Sequence, residues 1–304
     1  MRRLLTRRGV TTVELTVVLT IAGLVAAAIG TVLRRQQRFY ARAATVIEHR
    51  ASLRDATEIL PAELRALSPA GGDVLTFSDS ALEIRTTIGA ALACAVAPDG
   101  SAIDLAPVSA LRARALAAFG TSPQPRDLAL VYDLGVPDDS TDDRWIAREV
   151  AAIASVAGLC AASRFVDTDR SALTGLRLRL GPAAAFPTSV GAGAYVHVVR
   201  RVRYRLYRGA TGDWYLGYSE WDGATYGVVQ PASGPFAAYS TSAATTGLSL
   251  RYFDVNGAEL AAPDEASRIV RVEVSARAAG ASGMSDVSPG VGDAQAVTIR
   301  MRNR

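Results

Sequence analysis

The chain contains no lysine; all 33 of its basic residues are arginine. That absence removes the phosphate-loop lysine, the Schiff-base lysine and the lysine general base together. Histidine is nearly as scarce, with His49 and His197 as the pair. A His-dependent triad would have to use one of them. His49 falls on an N-terminal helix and His197 on a strand among arginines, so both read as solvated or pocket-edge side chains. The two cysteines, Cys94 and Cys160, form no Cys-x-x-Cys pair and make no metal-ligand spacing with the two histidines. Neither a Gly-x-Ser-x-Gly nucleophile elbow nor a zinc-protease helix motif occurs. The expectation from this inventory is a protein without catalytic residues, metal or cofactor.

What is present is concentrated at the amino terminus. Arg7-Arg8-Gly9-Val10-Thr11-Thr12-Val13-Glu14-Leu15 leads into an apolar run that reaches Leu33. Val10 to Leu33 is twenty-four residues, roughly 36 Å as a helix. That is enough to cross a hydrocarbon layer of about 30 Å. Gly23 and Gly30 let helices approach closely, and Leu15, Val18, Leu19, Ala22 and Ala26 could line a packing face. Glu14 is the one charge in the run. An acid at the centre of a membrane helix costs about 2.5–3.5 kcal/mol, so it normally has a partner.

This arrangement resembles the amino terminus of type IV prepilins and pseudopilins: a short basic leader, a Gly, an acid at a fixed offset and an unbroken apolar helix. The resemblance implies cleavage by a prepilin peptidase between Gly9 and Val10, N-methylation of Val10, and pairing of Glu14 with the terminal amine of a neighbouring subunit. Val10 departs from the family's usual Phe. The domains that follow are a leader (1–9), a transmembrane helix (10–33), an amphipathic continuation (34–68) and a β-rich head (69–304). The fold expected is α+β and type IV pilin-like, with a long N-terminal transmembrane helix and a periplasmic head. The partners implied are other pilin or pseudopilin subunits, the prepilin peptidase and an inner-membrane assembly platform. Three plainer readings compete: a secretory signal peptide cut near Ala26-Ala27-Ala28, a twin-Arg signal at Thr6-Arg7-Arg8, and an ordinary single-span anchor. Arginines flank the run on both sides, so charge bias does not orient it.

With the head exported, an oxidising compartment favours a Cys94–Cys160 disulfide over two separate buried thiols. The net charge of +4 owes much to the four leader arginines. Removing the leader brings the chain near neutrality, which is weak support for a nucleic-acid partner.

Phe39, Val46, Leu53, Leu60 and Leu67 recur every seven residues, with Ala43 and Leu64 beside them. This face is expected to pack on a sheet of the same chain rather than in a coiled coil, since Arg50 lies on the seam. Pro61 is expected to open a second short helix, 62–67. Strands are expected at 74–77, 82–85, 91–96, 128–133, 145–150, 195–207, 214–218, 248–253, 268–276 and 295–301, with a short helix at 111–119 and a loop at 278–293. Segments 64–65, 75–86, 202–209 and 250–274 look loosely like W-type minor pilins and J-type pseudopilins.

Three surface clusters invite ligands. Asp138, Asp139, Asp142 and Asp143 offer hard oxygens that suit calcium, yet they lack the calcium-loop pattern and read better as a solvated loop. Asp254-Val255-Asn256-Gly257 reads as a hairpin turn. Arg201, Arg203 and Arg205 share one strand face that could meet DNA phosphates, with Trp214, Tyr215, Tyr218 and Trp221 nearby. The plainer reading is a solvated strand face.

Overall fold

The computed structural model describes residues 11–105, 117–136, 139, 141–166, 174–279 and 294–301. Gly9, Val10 and Asp138 therefore lie outside the described residues, as do 111–116 of the expected helix and 280–293 of the expected loop. The chain divides into two compact units, Met1–Ala51 and Ser52–Arg304.

Helix α1 runs Thr12–Ala66. Thr11 starts it with a capping box. Its hydroxyl oxygen accepts from the Glu14 N–H at 3.3 Å, and Glu14 Oε2 accepts from the Thr11 N–H at 3.0 Å. Pro61 does not open a second helix; α1 continues through it to Ala66. A proline inside a helix costs about 3 kcal/mol or more. Here Leu60 and Leu64 on either side are fully buried, and each such burial returns about 1.5–3 kcal/mol. Leu53, Ala56, Leu60, Leu64 and Leu67 form the buried stripe, at the 3–4 residue spacing of one helix face. Of the seven-residue repeat, Leu53, Leu60 and Leu67 are buried and Phe39 is 69% exposed.

In the second unit, β1 (Val74–Phe77), β2 (Ala81–Val96), β8 (Tyr195–Arg208), β9 (Trp214–Glu220) and β10 (Gln230–Phe236) form an antiparallel run. Its inner face, with Leu82, Ile84, Val202, Tyr204 and Leu216, packs with the Leu53–Leu67 stripe. A second sheet, ordered β12 (Glu259–Leu260), β11 (Leu248–Phe253), β13 (Arg271–Arg277), β14 (Ala294–Arg300), completes that core through Leu248, Leu250, Val272, Val274 and Ile299. Two hydrogen bonds fix the helix to β10: Ser52 Oγ donates to the Gly234 carbonyl at 2.6 Å, and Ser233 Oγ donates to the Ser52 carbonyl at 2.7 Å.

Between β2 and β8 the chain inserts β3 (Ala102–Leu105), β4 (Ala117–Phe119), β5 (Leu128–Asp133), β6 (Arg144–Ala157) and β7 (Thr174–Gly181). The pairings β2–β3, β3–β7, β7–β6, β6–β5, β5–β8 and β8–β2 are all antiparallel and return to their start. They form a closed six-stranded barrel. Its interior is filled by Ala91, Ala93, Ile103, Leu105, Ala129, Val131, Leu178, Leu180, Val196 and Val198, small and branched side chains that suit a narrow ring. β2 and β8 thus serve twice, one half of each in the open sheet and the other half in the barrel.

The expected strands 82–85 and 91–96 are one sixteen-residue strand, β2. Its register shifts between Thr87 and Gly89, and a bulge of this kind bends a strand at a barrel corner. Gly89 is required there, because the Phe119 ring occupies the place a Cβ would take. Phe119 itself belongs to strand β4, not to the short helix expected at 111–119. The expected strand at 268–276 starts at Arg271, after a 3-10 helix, Pro263–Arg268.

Candidate functional site

Residues Thr12–Ala41 form a helical stretch long and apolar enough to cross a membrane, with a mean hydropathy of 2.3 and no burial inside the structure. Val13, Leu19, Leu24, Val25 and Val32 are all at least half exposed and point in different directions around the axis. A helix that is apolar on every side needs a non-aqueous surrounding. Three of its threonines are satisfied locally. The hydroxyls of Thr16, Thr20 and Thr31 donate to carbonyls three or four residues back, at 2.7–3.0 Å. Arg34 Nε reaches back to the Gly30 carbonyl at 3.2 Å. Phe39 and Tyr40 stand exposed next in line, rings 5.9 Å apart, with Arg34, Arg35 and Arg38 close by in the chain. Glu14 is exposed, and its partner in the described residues is Thr11. Around Gly23 a Cβ would meet nothing within 4 Å, so a second helix has room to approach.

In the head, Cys94 of β2 and Cys160, in the turn after β6, are joined by a disulfide, Cα atoms 5.7 Å apart. Arg201 and Arg203 turn onto Glu83 of β2. Arg201 Nη2 donates to its carboxylate at 2.9 Å, and the Arg203 guanidinium donates to the other oxygen. The two guanidiniums also stack on Tyr226, at 5.4 and 3.7 Å from the ring centre, and Arg201 on Trp221 at 4.2 Å. Arg205 is exposed. Two of the three arginines read as a phosphate-facing ladder are therefore held by a buried carboxylate. Of the nearby aromatics, Trp214 and Tyr218 pack toward the helix-side core instead.

The acidic loop spends its oxygens on itself. Asp139 accepts from the Thr141 N–H and hydroxyl, Asp142 from the Val136 N–H, and Asp143 from the Tyr132 hydroxyl. Asp254 accepts from the N–H groups of Asn256 and Ala258, and Gly257 adopts φ 81° as the turn into β12 requires. No cluster of three metal-ligating side chains occurs among the described residues.

The alternation along β8 conceals one polar residue that the sequence reading passed over. Arg200 lies on the inner face and is buried. Its Nε and Nη2 donate to Asp127 at 2.8 and 3.0 Å, its Nη1 to Glu220 at 3.3 Å, and its Nη2 also to the Ser122 carbonyl at 3.2 Å. These carboxylates hold the guanidinium pKa above its ordinary value.

His197 is half-buried, its ring 5.0 Å from Trp145 and 4.8 Å from Tyr195. Burial pulls its pKa below the ordinary value, against the attraction of Asp73. In the unfolded chain the group returns to about 6.5. As pH falls, the unfolded state takes up this proton first. The stability that neutral His197 contributes is therefore present above about pH 6.5 and lost as pH drops toward the folded value. The wild type is expected to lose more stability than His197→Phe between about pH 7.5 and 5.5, by less than about 1.4 kcal/mol per pH unit. Urea midpoints at the two pH values check this; equal losses would contradict it.

Comparison with protein-family models, curated proteins and solved structures returns no match for this chain.

Proposed function

We propose that this protein is a minor pilin or pseudopilin, a structural subunit of a type IV filament system such as a type IV pilus or a type II secretion pseudopilus. The observation that carries the reading is Glu14. It is a lone acid near the start of a helix apolar on all sides, five residues after a Gly that closes a basic leader. The leader ends at Gly9, and a prepilin peptidase cuts there and methylates the new terminus, Val10. The helix waits in the inner membrane with the head in the periplasm, where the Cys94–Cys160 disulfide is chemically at home. Extraction from the membrane through an assembly platform brings Glu14 against the ammonium of a neighbour's Val10. The plan of one long helix whose C-terminal part packs under an antiparallel sheet supports a pilin-like head. The role is association without catalysis, at or near the start of fibre assembly.

N-terminal sequencing and mass spectrometry of the protein from its native membrane test this directly. The expected terminus is N-methylated Val10. A terminus after Ala26–Ala28 would mean a secretory signal, and an uncut Met1 would mean an ordinary anchor. Either would overturn the proposal.

A further inference from the structure

The outer face of the barrel carries a row of side chains the fold leaves uncovered. Leu92 of β2 lies opposite Tyr195 of β8, and Tyr132 of β5 opposite Trp145 of β6. Tyr132 follows directly on the Val131–Val196 pair, so these four side chains form one row across four neighbouring strands. At ~4.8 Å between strands the row is about 15 Å long. His197 and Leu130 face each other in the next row. The rings touch: Tyr132 to Trp145 and Trp145 to His197 are both 5.0 Å between centres. Trp145 is nonetheless 45% exposed and Tyr195 39%.

Two observations select an occupant. The first is charge. Arg144, next to Trp145, is paired with Asp133 at 3.1 Å, and farther along the strands Arg126 is paired with Glu149 at 3.0 Å. The neighbouring loop adds Asp139, Asp142 and Asp143. A phosphate or sulfate polymer would meet carboxylates here and arginines already engaged. The second is hydrogen bonding. Among the described residues, the Trp145 indole N–H, the Tyr195 hydroxyl and the His197 imidazole make no hydrogen bond. An apolar protein surface laid over them would bury all three unpaired, which is unfavourable. A sugar ring is apolar on its C–H face and polar at its rim. It stacks on an aromatic side chain while its hydroxyls take up such donors and acceptors.

We propose that this barrel face binds an uncharged polysaccharide, stacked on Trp145 and Tyr195, with His197 and the Tyr132–Asp143 pair bonding its hydroxyls. The test uses the full chain in a detergent without a sugar headgroup. Maltohexaose, cellohexaose and chitohexaose are titrated by calorimetry, with heparin as the polyanion. Binding of at least one neutral hexasaccharide is expected, weakened at least about tenfold in Trp145→Ala and in Tyr195→Leu, with heparin unbound. Trp145→Phe keeps a ring at the centre of the row and is expected to retain binding, which separates a lost stacking surface from a disturbed fold. The proposal is overturned if none of the three sugars binds, if the variants bind as the wild type does, if heparin binds more tightly than the sugars, or if a second copy of the chain covers Trp145 instead.

Discussion

Glu14→Ala is expected to leave the protein in the membrane and keep it out of fibres. The substitution makes the helix more apolar, so insertion is not impaired. Assembly is a different matter. In the proposed fibre the Glu14 carboxylate neutralises the terminal ammonium of a neighbour inside an apolar bundle. Removing one partner of a buried ion pair leaves the other uncompensated, at about 3–5 kcal/mol. That lowers incorporation by a hundredfold or more, at about 1.4 kcal/mol per factor of ten. Glu14 also accepts from the Thr11 N–H in the capping box, so a plain loss of helix start must be separated from a loss of charge. Glu14→Gln does this. A glutamine serves a capping box as well as a glutamate does, but it carries no charge. Both variants are expected in the membrane fraction at wild-type amounts and nearly absent from sheared filaments on immunoblots. Wild-type incorporation of Glu14→Gln would show that capping, not ion pairing, is what Glu14 supplies.

Much of the head was legible because period two is a strong signal over a long strand. Along β8, Val196, Val198, Val202, Tyr204 and Leu206 read as one face and are buried. The C-terminal part of α1 was legible for the analogous reason, since Leu53, Leu60, Leu64 and Leu67 keep helical spacing. What escaped depends on tertiary partners. β10 contains Pro231, Gly234 and Pro235, and no strand is expected there from the sequence. It is tolerated as a strand because it lies at the end of the sheet path, where an unpaired side suits proline. Pro61 reads as a helix start, but burial on both sides overrides the local preference. The barrel itself was out of reach. Its closure rests on β2 and β8 each pairing with different neighbours at their two ends, and a local pattern carries no register across a hundred residues. The candidate sites divide in the same way. The Gly9–Glu14 signal is contiguous and could be read. The commitment of Arg201 and Arg203 to Glu83 joins residues about 120 positions apart.

Arg200→Ala is expected to be the most damaging single change in the head. Arg200 stands where β8 parts from one neighbour and takes up another. Its pairing with β5 ends at Val199–Leu128, and its pairing with β9 runs from Val202–Glu220. The guanidinium bridges that fork, holding Asp127 just before β5 and Glu220 at the end of β9. Asp127 is 3% exposed, so without Arg200 its charge is stranded, and the expected loss is about 3–5 kcal/mol. Against a total stability of about 5–15 kcal/mol, that brings the head close to unfolding. The reverse change is milder. In Asp127→Asn, Arg200 keeps Glu220 and the Ser122 carbonyl, and the oxygen of the new amide can still accept from the Gln124 N–H, as the carboxylate does. The expected cost is about 1.5–3 kcal/mol, the worth of hydrogen bonds to a charged group. The double variant Arg200→Leu with Asp127→Leu is expected to be more stable than Arg200→Ala alone, because no buried charge remains. Urea unfolding of the three variants orders them. If the double variant proves as unstable as Arg200→Ala, the penalty lies in lost packing at the fork rather than in the stranded carboxylate. Amide exchange distinguishes the same alternatives locally: a stranded Asp127 accelerates exchange first in β5 and β9, while a packing defect spreads through the barrel core.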